Sequence, residues 1–83
     1  MDHYLFTARS ITHAQSMAQV LERSGIYIRI RRIGNGMTGN GCGYTLEVPA
    51  RQYRRAAALL KASGTLPIRV FFVSNGKRQE VAL

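Results

Sequence analysis

Cys42 is the only cysteine of this 83-residue chain, and it lies near the end of a glycine-rich segment. Gly41 and Gly43 flank it directly. Because glycine has no Cβ atom, the backbone on both sides of the thiol lets another molecule come close. Most lone cysteines are small buried hydrophobic residues, but glycine neighbours argue against burial. We therefore take Cys42 as a candidate for sulfur chemistry or for a close-approach site.

The same segment contains Gly34-Asn-Gly-Met-Thr-Gly39, which satisfies the pattern G-x-G-x-x-G. As a dinucleotide fingerprint, this pattern should open a helix after a strand, with an acidic residue about 20 residues later. Here more glycines and a strand pattern follow, and Glu47 comes too early. We therefore predict a long hairpin loop and no bound cofactor.

A pair of Cys42 and His13 is the alternative catalytic arrangement, because histidine can activate a nucleophilic thiol. However, the chain has only four carboxylate side chains, no obvious orienting acid and little room for a substrate pocket. An independent enzyme is therefore not expected. One cysteine with His3 and His13 also lacks the spacing of a structural zinc site, so no metal is expected.

The formal net charge is +8, and arginine supplies ten of the twelve basic residues. Such a charge implies an acidic partner, which is either nucleic acid or a negative protein surface. The chain shows no signal-peptide pattern and no apolar run of the roughly 18 residues that could span a membrane. We therefore expect a cytoplasmic protein, in a compartment where a single thiol stays reduced.

Two helical patterns end alike, at Ser24-Gly25 and at Ser63-Gly64, and each leads into a β-branched segment. Glycine is favoured just after a helix, where the backbone is left-handed. The first helix is predicted to begin with Thr12 as its cap, with Ser10 as the competing cap, and the second with Pro49 at its first position. The apolar residues of the first helix follow the spacing i, i+3, i+4, i+7 and predict a buried stripe of Ala14, Met17, Ala18 and Leu21. Strand patterns cover residues 4–8, 26–33, 44–48 and 68–73.

The order of these elements, β-α-β-β-α-β, predicts an α+β fold of the ferredoxin-like class. Its four-stranded antiparallel sheet would have the order 4-1-3-2, with both helices on one face. We predict one domain over residues 1–74. The tail, 75–83, contains the hairpin signal Asn75-Gly76, so it is either a short extra strand or disordered.

In this topology, the loop before strand 3 and the start of helix 1 lie at the same edge of the sheet. That edge would bring together the glycine segment and residues with polar or basic side chains: Arg9, Ser10, Thr12, His13, Arg31 and Arg32. Without a bulge at Gly43, Cys42 shares the face of Tyr44, toward the helices. A helix N-terminus and nearby cations stabilise a thiolate. The sequence therefore predicts a reactive thiolate tuned by Arg9, Thr12 and His13.

The aromatic first strand, the segment Arg9-Ser10-Ile11-Thr12-His13-Ala14 and the pair Cys42-Gly43 resemble a family of small bacterial domains, the putative selenium/sulfur carrier-like proteins. The resemblance covers roughly residues 3–73. It implies that Cys42 carries a persulfide or selenopersulfide and passes the chalcogen on, with an acidic donor or acceptor protein as the partner. Many members have a proline-containing segment and serines before Cys-Gly, and residues 31–41 depart from that pattern.

A basic module that binds RNA or protein without covalent chemistry is the alternative function, and RNA-recognition domains share this topology. Gly41-Cys42-Gly43-Tyr44 is a degraded match to their third-strand signature. Residues on the sheet face away from the helices could stack on bases and contact phosphates: Tyr27, Arg29, Arg31, Arg69 and Phe71. In the competing interpretation, the two aromatic residues of this set are buried in a homodimer that forms through the open sheet face.

Overall fold

The structure is a computed structural model, and it describes residues 2–33 and 43–82. Its elements in chain order are β1 (His3–Ala8), α1 (Ile11–Arg23), β2 (Arg29–Ile33), β3 (Gly43–Pro49), a 3-10 turn (Ala50–Gln52), α2 (Tyr53–Ser63), β4 (Val70–Ser74) and β5 (Lys77–Val81). The predicted α+β class, with two helices and an antiparallel sheet, is confirmed. Neither of these helices is long and apolar enough to cross a membrane.

The sheet has the strand order β2-β3-β1-β4-β5, and all neighbouring strands are antiparallel. Read from the opposite edge, the order is β5-β4-β1-β3-β2, which contains the predicted order 4-1-3-2. The prediction of four strands is wrong, because β5 pairs with β4 and extends the sheet. The turn between them is formed by Asn75 and Gly76, both with positive φ (53° and 77°). Two such residues are typical of a tight hairpin turn.

The N-terminal cap of α1 is Ser10, so the prediction of Thr12 as the cap is wrong. Ser10 is extended (φ −154°, ψ 167°), and its side chain accepts a hydrogen bond from the His13 N–H. An extended residue just before a helix can turn its hydroxyl back toward the first turn. The predicted buried stripe of α1 is confirmed, and consists of Ala14, Met17, Ala18 and Leu21.

The prediction that Pro49 begins the second helix is also wrong. Pro49 is the last residue of β3, with ψ at 142°, and the 3-10 turn separates it from α2. The predicted ends of both helices are confirmed, because Gly25 and Gly64 have φ of 78° and 74°. The Gly64 N–H bonds to the Lys61 carbonyl, which closes the last turn of α2.

One hydrophobic core lies between the helices and the sheet, and it contains alternate residues of the strands. Phe6, Leu46, Leu21 and Leu60 are fully buried there. Because side chains alternate along a strand, the remaining strand residues lie on the other side of the sheet, which we call the open face. Leu5 belongs to the open face, and it is buried without being part of this core.

A small aromatic cluster closes the core at the start of α2. The rings of Tyr4 and Tyr53 stack with centroids 3.9 Å apart, and Phe6 meets Tyr53 edge-on at 6.1 Å. The Tyr53 hydroxyl donates a hydrogen bond of 3.4 Å to the Ala82 carbonyl, just beyond β5. Burial, and to a lesser degree the neighbouring Tyr4, raise the pKa of Tyr53 above its ordinary value.

Between β1 and β4 the ladder is interrupted at Thr7, which is fully buried. Its carbonyl accepts from the Ile68 N–H at 3.0 Å, and its hydroxyl accepts from the Arg69 N–H at 2.8 Å. Two residues of one segment thus face one residue of the other, as in a β-bulge. This irregularity explains why β4 begins at Val70, two residues after the predicted start.

Candidate functional site

His13 links the start of α1 to the segment that joins α2 to β4. Its Nδ1 accepts a hydrogen bond of 3.2 Å from the Arg9 N–H, and its Nε2 lies 3.1 Å from the Leu66 carbonyl oxygen. A backbone N–H can only donate and a carbonyl can only accept. The arrangement therefore selects the neutral imidazole with its proton on Nε2.

Both ring nitrogens of His13 are thus occupied by backbone groups in this arrangement. A histidine that takes a proton from a thiol needs a lone pair within hydrogen-bonding distance of it. The geometry therefore argues against the Cys42–His13 dyad and makes His13 a residue that holds Arg9 and Leu66 in place. Sequence reasoning singled out His13 but missed Leu66, because a contact across 53 positions has no local signal.

The N-terminal cap of α1 adjoins these contacts, and we call the region formed by Arg9, Ser10 and His13 the corner. Ser10 accepts from the His13 N–H at 3.1 Å through its hydroxyl and from the Ala14 N–H at 3.0 Å through its carbonyl. The first turn of α1 carries no acidic residue. Its positive helix end is therefore not neutralised by an acidic side chain of that turn, and an anion placed beside it would be stabilised.

Gly43 lies at the same end of the sheet as this corner. It is buried and is the first residue of β3, paired with Ile33, and Tyr44 pairs with Ala8. Continuing this register by one residue places Gly43 level with Arg9. The pairing with β2 reaches Gly43 in an unbroken register from Arg29–Glu47 to Ile33–Gly43. Cys42 and Gly41 themselves lie outside the described residues.

The remaining predicted residues divide between the two faces of the sheet. Arg9 and Thr12 are exposed near the start of α1. Arg32 pairs with Tyr44 and shares its face, whereas Arg31 lies on the open face and bonds Glu47 through Nε at 2.9 Å. Of the cations expected at this edge of the sheet, Arg9 lies at the corner, whereas Arg31 lies on the open face and pairs with Glu47. In the part of the chain that is described, no three metal-ligating side chains come together.

The chain is similar to a known protein family. A family model described as "Putative Se/S carrier protein-like" matches residues 3–71, from the first residue of β1 into β4. No curated protein and no solved structure matches the chain. The matched segment contains the corner formed by Arg9, Ser10 and His13 and also the sequence pair Cys42-Gly43, so the resemblance noted from the sequence is confirmed. The chain belongs to the family of Putative Se/S carrier protein-like domains.

Proposed function

We propose that the protein carries sulfur or selenium on Cys42 as a persulfide or selenopersulfide. The observation that carries the proposal is the family match over residues 3–71, within which the chain has a single cysteine. A carrier needs one thiol that forms and releases a chalcogen bond, and one cysteine is sufficient for that. A second cysteine would be needed only to resolve the adduct within the same chain.

The transfer can be written with its atoms and electrons balanced. The thiolate of Cys42 attacks the outer sulfur of a donor persulfide, R–S–SH. A new S–S bond forms, the S–S bond of the donor breaks, and the electron pair leaves on the donor thiolate. Cys42 then holds –S–SH, with no net oxidant consumed. Selenium from a selenopersulfide donor would follow the same path, and an acceptor thiolate would take the chalcogen in the second step.

The corner at the start of α1 supports this chemistry in two ways. Its backbone N–H groups and helix dipole favour an anion, and the exposed cation Arg9 adds positive charge. Gly43, which follows Cys42 in the chain, is level with Arg9 when the β1–β3 register is continued by one residue beyond Ala8. In this proposal Arg9 and Thr12 tune the thiolate from solvent-exposed positions, His13 fixes the backbone of Arg9, and Gly41 and Gly43 leave room for a partner's sulfur.

The net charge of +8 favours an acidic protein as the donor or acceptor. Transfer would then slow as salt increases, because charge steers the encounter of the two proteins. Arg9→Gln should lower the transfer rate more than Arg23→Gln, which makes the same change of charge at the other end of α1.

Mass spectrometry tests the proposal directly. The protein is incubated with a cysteine desulfurase and cysteine, and intact mass is measured before and after treatment with a dithiol. We expect one added sulfur atom that the dithiol removes, and no adduct on Cys42→Ser. An unmodified wild-type chain, or an equal adduct on Cys42→Ser, would contradict the carrier function.

A further inference from the structure

A shallow cavity of about 230 Å³ lies on the open face, at the start of β2. Its lining combines an aromatic ring, a guanidinium, an imidazole and a carboxylate: His3, Tyr27, Arg29, Glu47, Val48 and Pro49. The register explains why these residues meet. Arg29 pairs with Glu47, and His3 pairs with Pro49. Continuing the β2–β3 register by two residues places Tyr27, just before β2, level with Pro49.

Tyr27 is the most exposed large hydrophobic side chain of the described residues, at 75%. Its neighbours Ile26 and Ile28 are exposed by only 1% and 8%. Two buried isoleucines therefore anchor the segment, and alternation along an extended chain directs the ring between them outward. The Tyr27 ring is therefore exposed to solvent, while the buried side chains of Ile26 and Ile28 hold the backbone on both sides of it.

The cations around this ring lie along the edge strand. Side chains on the same face of a strand are about 6.7 Å apart, so Arg29 and Arg31 form a row of two guanidinium groups on β2, and Tyr27 lies just before the start of this strand. Arg31 uses its Nε to bond Glu47, yet 57% of its side chain is exposed. A guanidinium has five N–H donors, so this ion pair leaves donors for a second anion.

Charge on the rest of the open face is also positive. Arg78 pairs with Val73 and Glu80 pairs with Phe71, so β5 contributes one charge of each sign to the open face. The carboxylate of Glu47 is compensated by Arg31. Among the strand residues of the open face, the three cations Arg29, Arg31 and Arg78 outnumber the two carboxylates, so the face has a net positive charge, which complements a polyanion.

A second copy of the chain fits this face less well. Tyr27 lies at the β2 edge, whereas Phe71 lies on β4, with β3 and β1 between them. Leu5, on the intervening strand β1, is already only 8% exposed. The two aromatic residues thus do not form one apolar patch, and a two-fold dimer would bring like charges together. Interfaces of stable dimers instead have an apolar centre with few charges.

We infer that the open face binds a single-stranded nucleic acid at the cavity of Tyr27. The ring of Tyr27 stacks on one base, the Arg29 guanidinium contacts a backbone phosphate, and the Glu47 carboxylate accepts a hydrogen bond from an exocyclic amino group. Aromatic stacking is tolerant of base identity. An acceptor such as Glu47 adds a preference for cytosine or adenine, which have such an amino group, over uracil.

Fluorescence anisotropy with labelled oligoribonucleotides of about eight residues tests this inference. The full chain is titrated under reducing conditions against oligo(C), oligo(A) and oligo(U) over a range of salt concentrations. Tyr27→Leu should weaken binding by about 5-fold or more, since it removes the stacking ring, and Tyr27→Phe should bind as the wild type does. Glu47→Gln should reduce the preference for oligo(C) and oligo(A) over oligo(U).

Arg29→Gln and Arg32→Gln form a matched pair, because both residues lie on β2 but on opposite faces of the sheet. Arg29→Gln should reduce the slope of log affinity against log salt by about 0.7, whereas Arg32→Gln should leave it unchanged. Cys42→Ser should bind like the wild type, so failure of the carrier function would leave this inference standing.

Four results would overturn the inference. These are no binding by the wild type, equal effects of the two arginine variants, loss of affinity in Arg54→Gln on α2 instead, and a wild-type homodimer that Tyr27→Leu dissociates. The third would move the nucleic-acid site to the helix face, and the fourth would identify a second copy as the occupant. Circular dichroism of each variant separates these results from loss of folding.

Discussion

The imidazole of His13 joins the first turn of α1 to Leu66, whose carbonyl oxygen lies 3.1 Å from Nε2. The other ring nitrogen accepts from the Arg9 N–H at 3.2 Å. One side chain therefore connects the segment that follows β1 to the segment that follows α2. These two hydrogen bonds hold the corner beside Gly43 in place.

We expect His13→Ala to lower the free energy of unfolding by about 1–2 kcal/mol, because each net hydrogen bond contributes about 0.5–1.5 kcal/mol. Urea unfolding measures the change. Thr12→Ala is the matched control at the adjacent, exposed position, where we expect a change within about 0.5 kcal/mol. Equal losses in the two variants would show that the ring's hydrogen bonds do not hold this corner together.

Ser10 and Thr12 are the two candidate caps of α1, and their alanine variants distinguish them. Ser10→Ala removes the acceptor of the His13 N–H and should cost about 1 kcal/mol of stability. Ser10→Asp should retain most of it, because aspartate also caps and its charge suits the helix N-terminus. A larger loss in Thr12→Ala than in Ser10→Ala, measured by the same unfolding assay, would place the cap at Thr12.

The parts of the fold that the sequence predicted are those with a local signal. The buried stripe of α1 follows from helical spacing, and the left-handed Gly25 and Gly64 follow from the Ser-Gly ends. Alternation around Tyr27, with buried isoleucines on both sides, is likewise a property of the local chain. Each of these features needs only the residues within one or two turns of it.

The features that were missed depend on contacts between distant segments. β5 was predicted only as one of two alternatives for the tail, because it is polar and of its residues only Val81 packs against the core. The interruption at Thr7 depends on Arg69, 62 positions away. At the candidate site, His13 was identified as a polar residue of the first turn, but its bond to Leu66 could not be. The carrier role of Cys42 remains a prediction from the family and the sequence.

Thr7 and Thr45 are a matched pair of buried threonines that face each other across β1 and β3. The Thr7 hydroxyl accepts from the Arg69 N–H at 2.8 Å and donates to the Arg69 carbonyl at 3.2 Å. The Thr45 hydroxyl makes one longer bond, 3.5 Å, to the Arg31 carbonyl. Their valine variants therefore delete hydrogen bonds of different strength in the same environment.

We expect Thr7→Val to cost about 1–3 kcal/mol, because it leaves the Arg69 N–H without the acceptor it has here. Thr45→Val should cost less than about 1 kcal/mol. Chemical denaturation gives both values, and amide exchange at Arg69 should accelerate in Thr7→Val only. If the two variants lose equal stability, the hydroxyl of Thr7 does not stabilise the interruption of the ladder.

Tyr53 gives the stability a pH dependence on the alkaline side. Its pKa is raised in the folded chain by burial and, secondarily, by Tyr4, so the unfolded chain loses this proton more readily. The resulting stabilisation is complete below the unfolded-state value of about 10 and is lost as pH rises through the folded-state pKa. Tyr53→Phe keeps the stacked ring but removes the titrating group.

We therefore expect the stability difference between the wild type and Tyr53→Phe to be constant up to about pH 9 and then to shift against the wild type by about pH 11. The part of the difference that does not depend on pH contains the loss of the hydrogen bond to the Ala82 carbonyl. The pH-dependent part then reports the titration of Tyr53 alone. Urea unfolding at several pH values measures both. Curves for the two proteins that stay parallel through this alkaline range would show that Tyr53 titrates alike in the folded and unfolded chains.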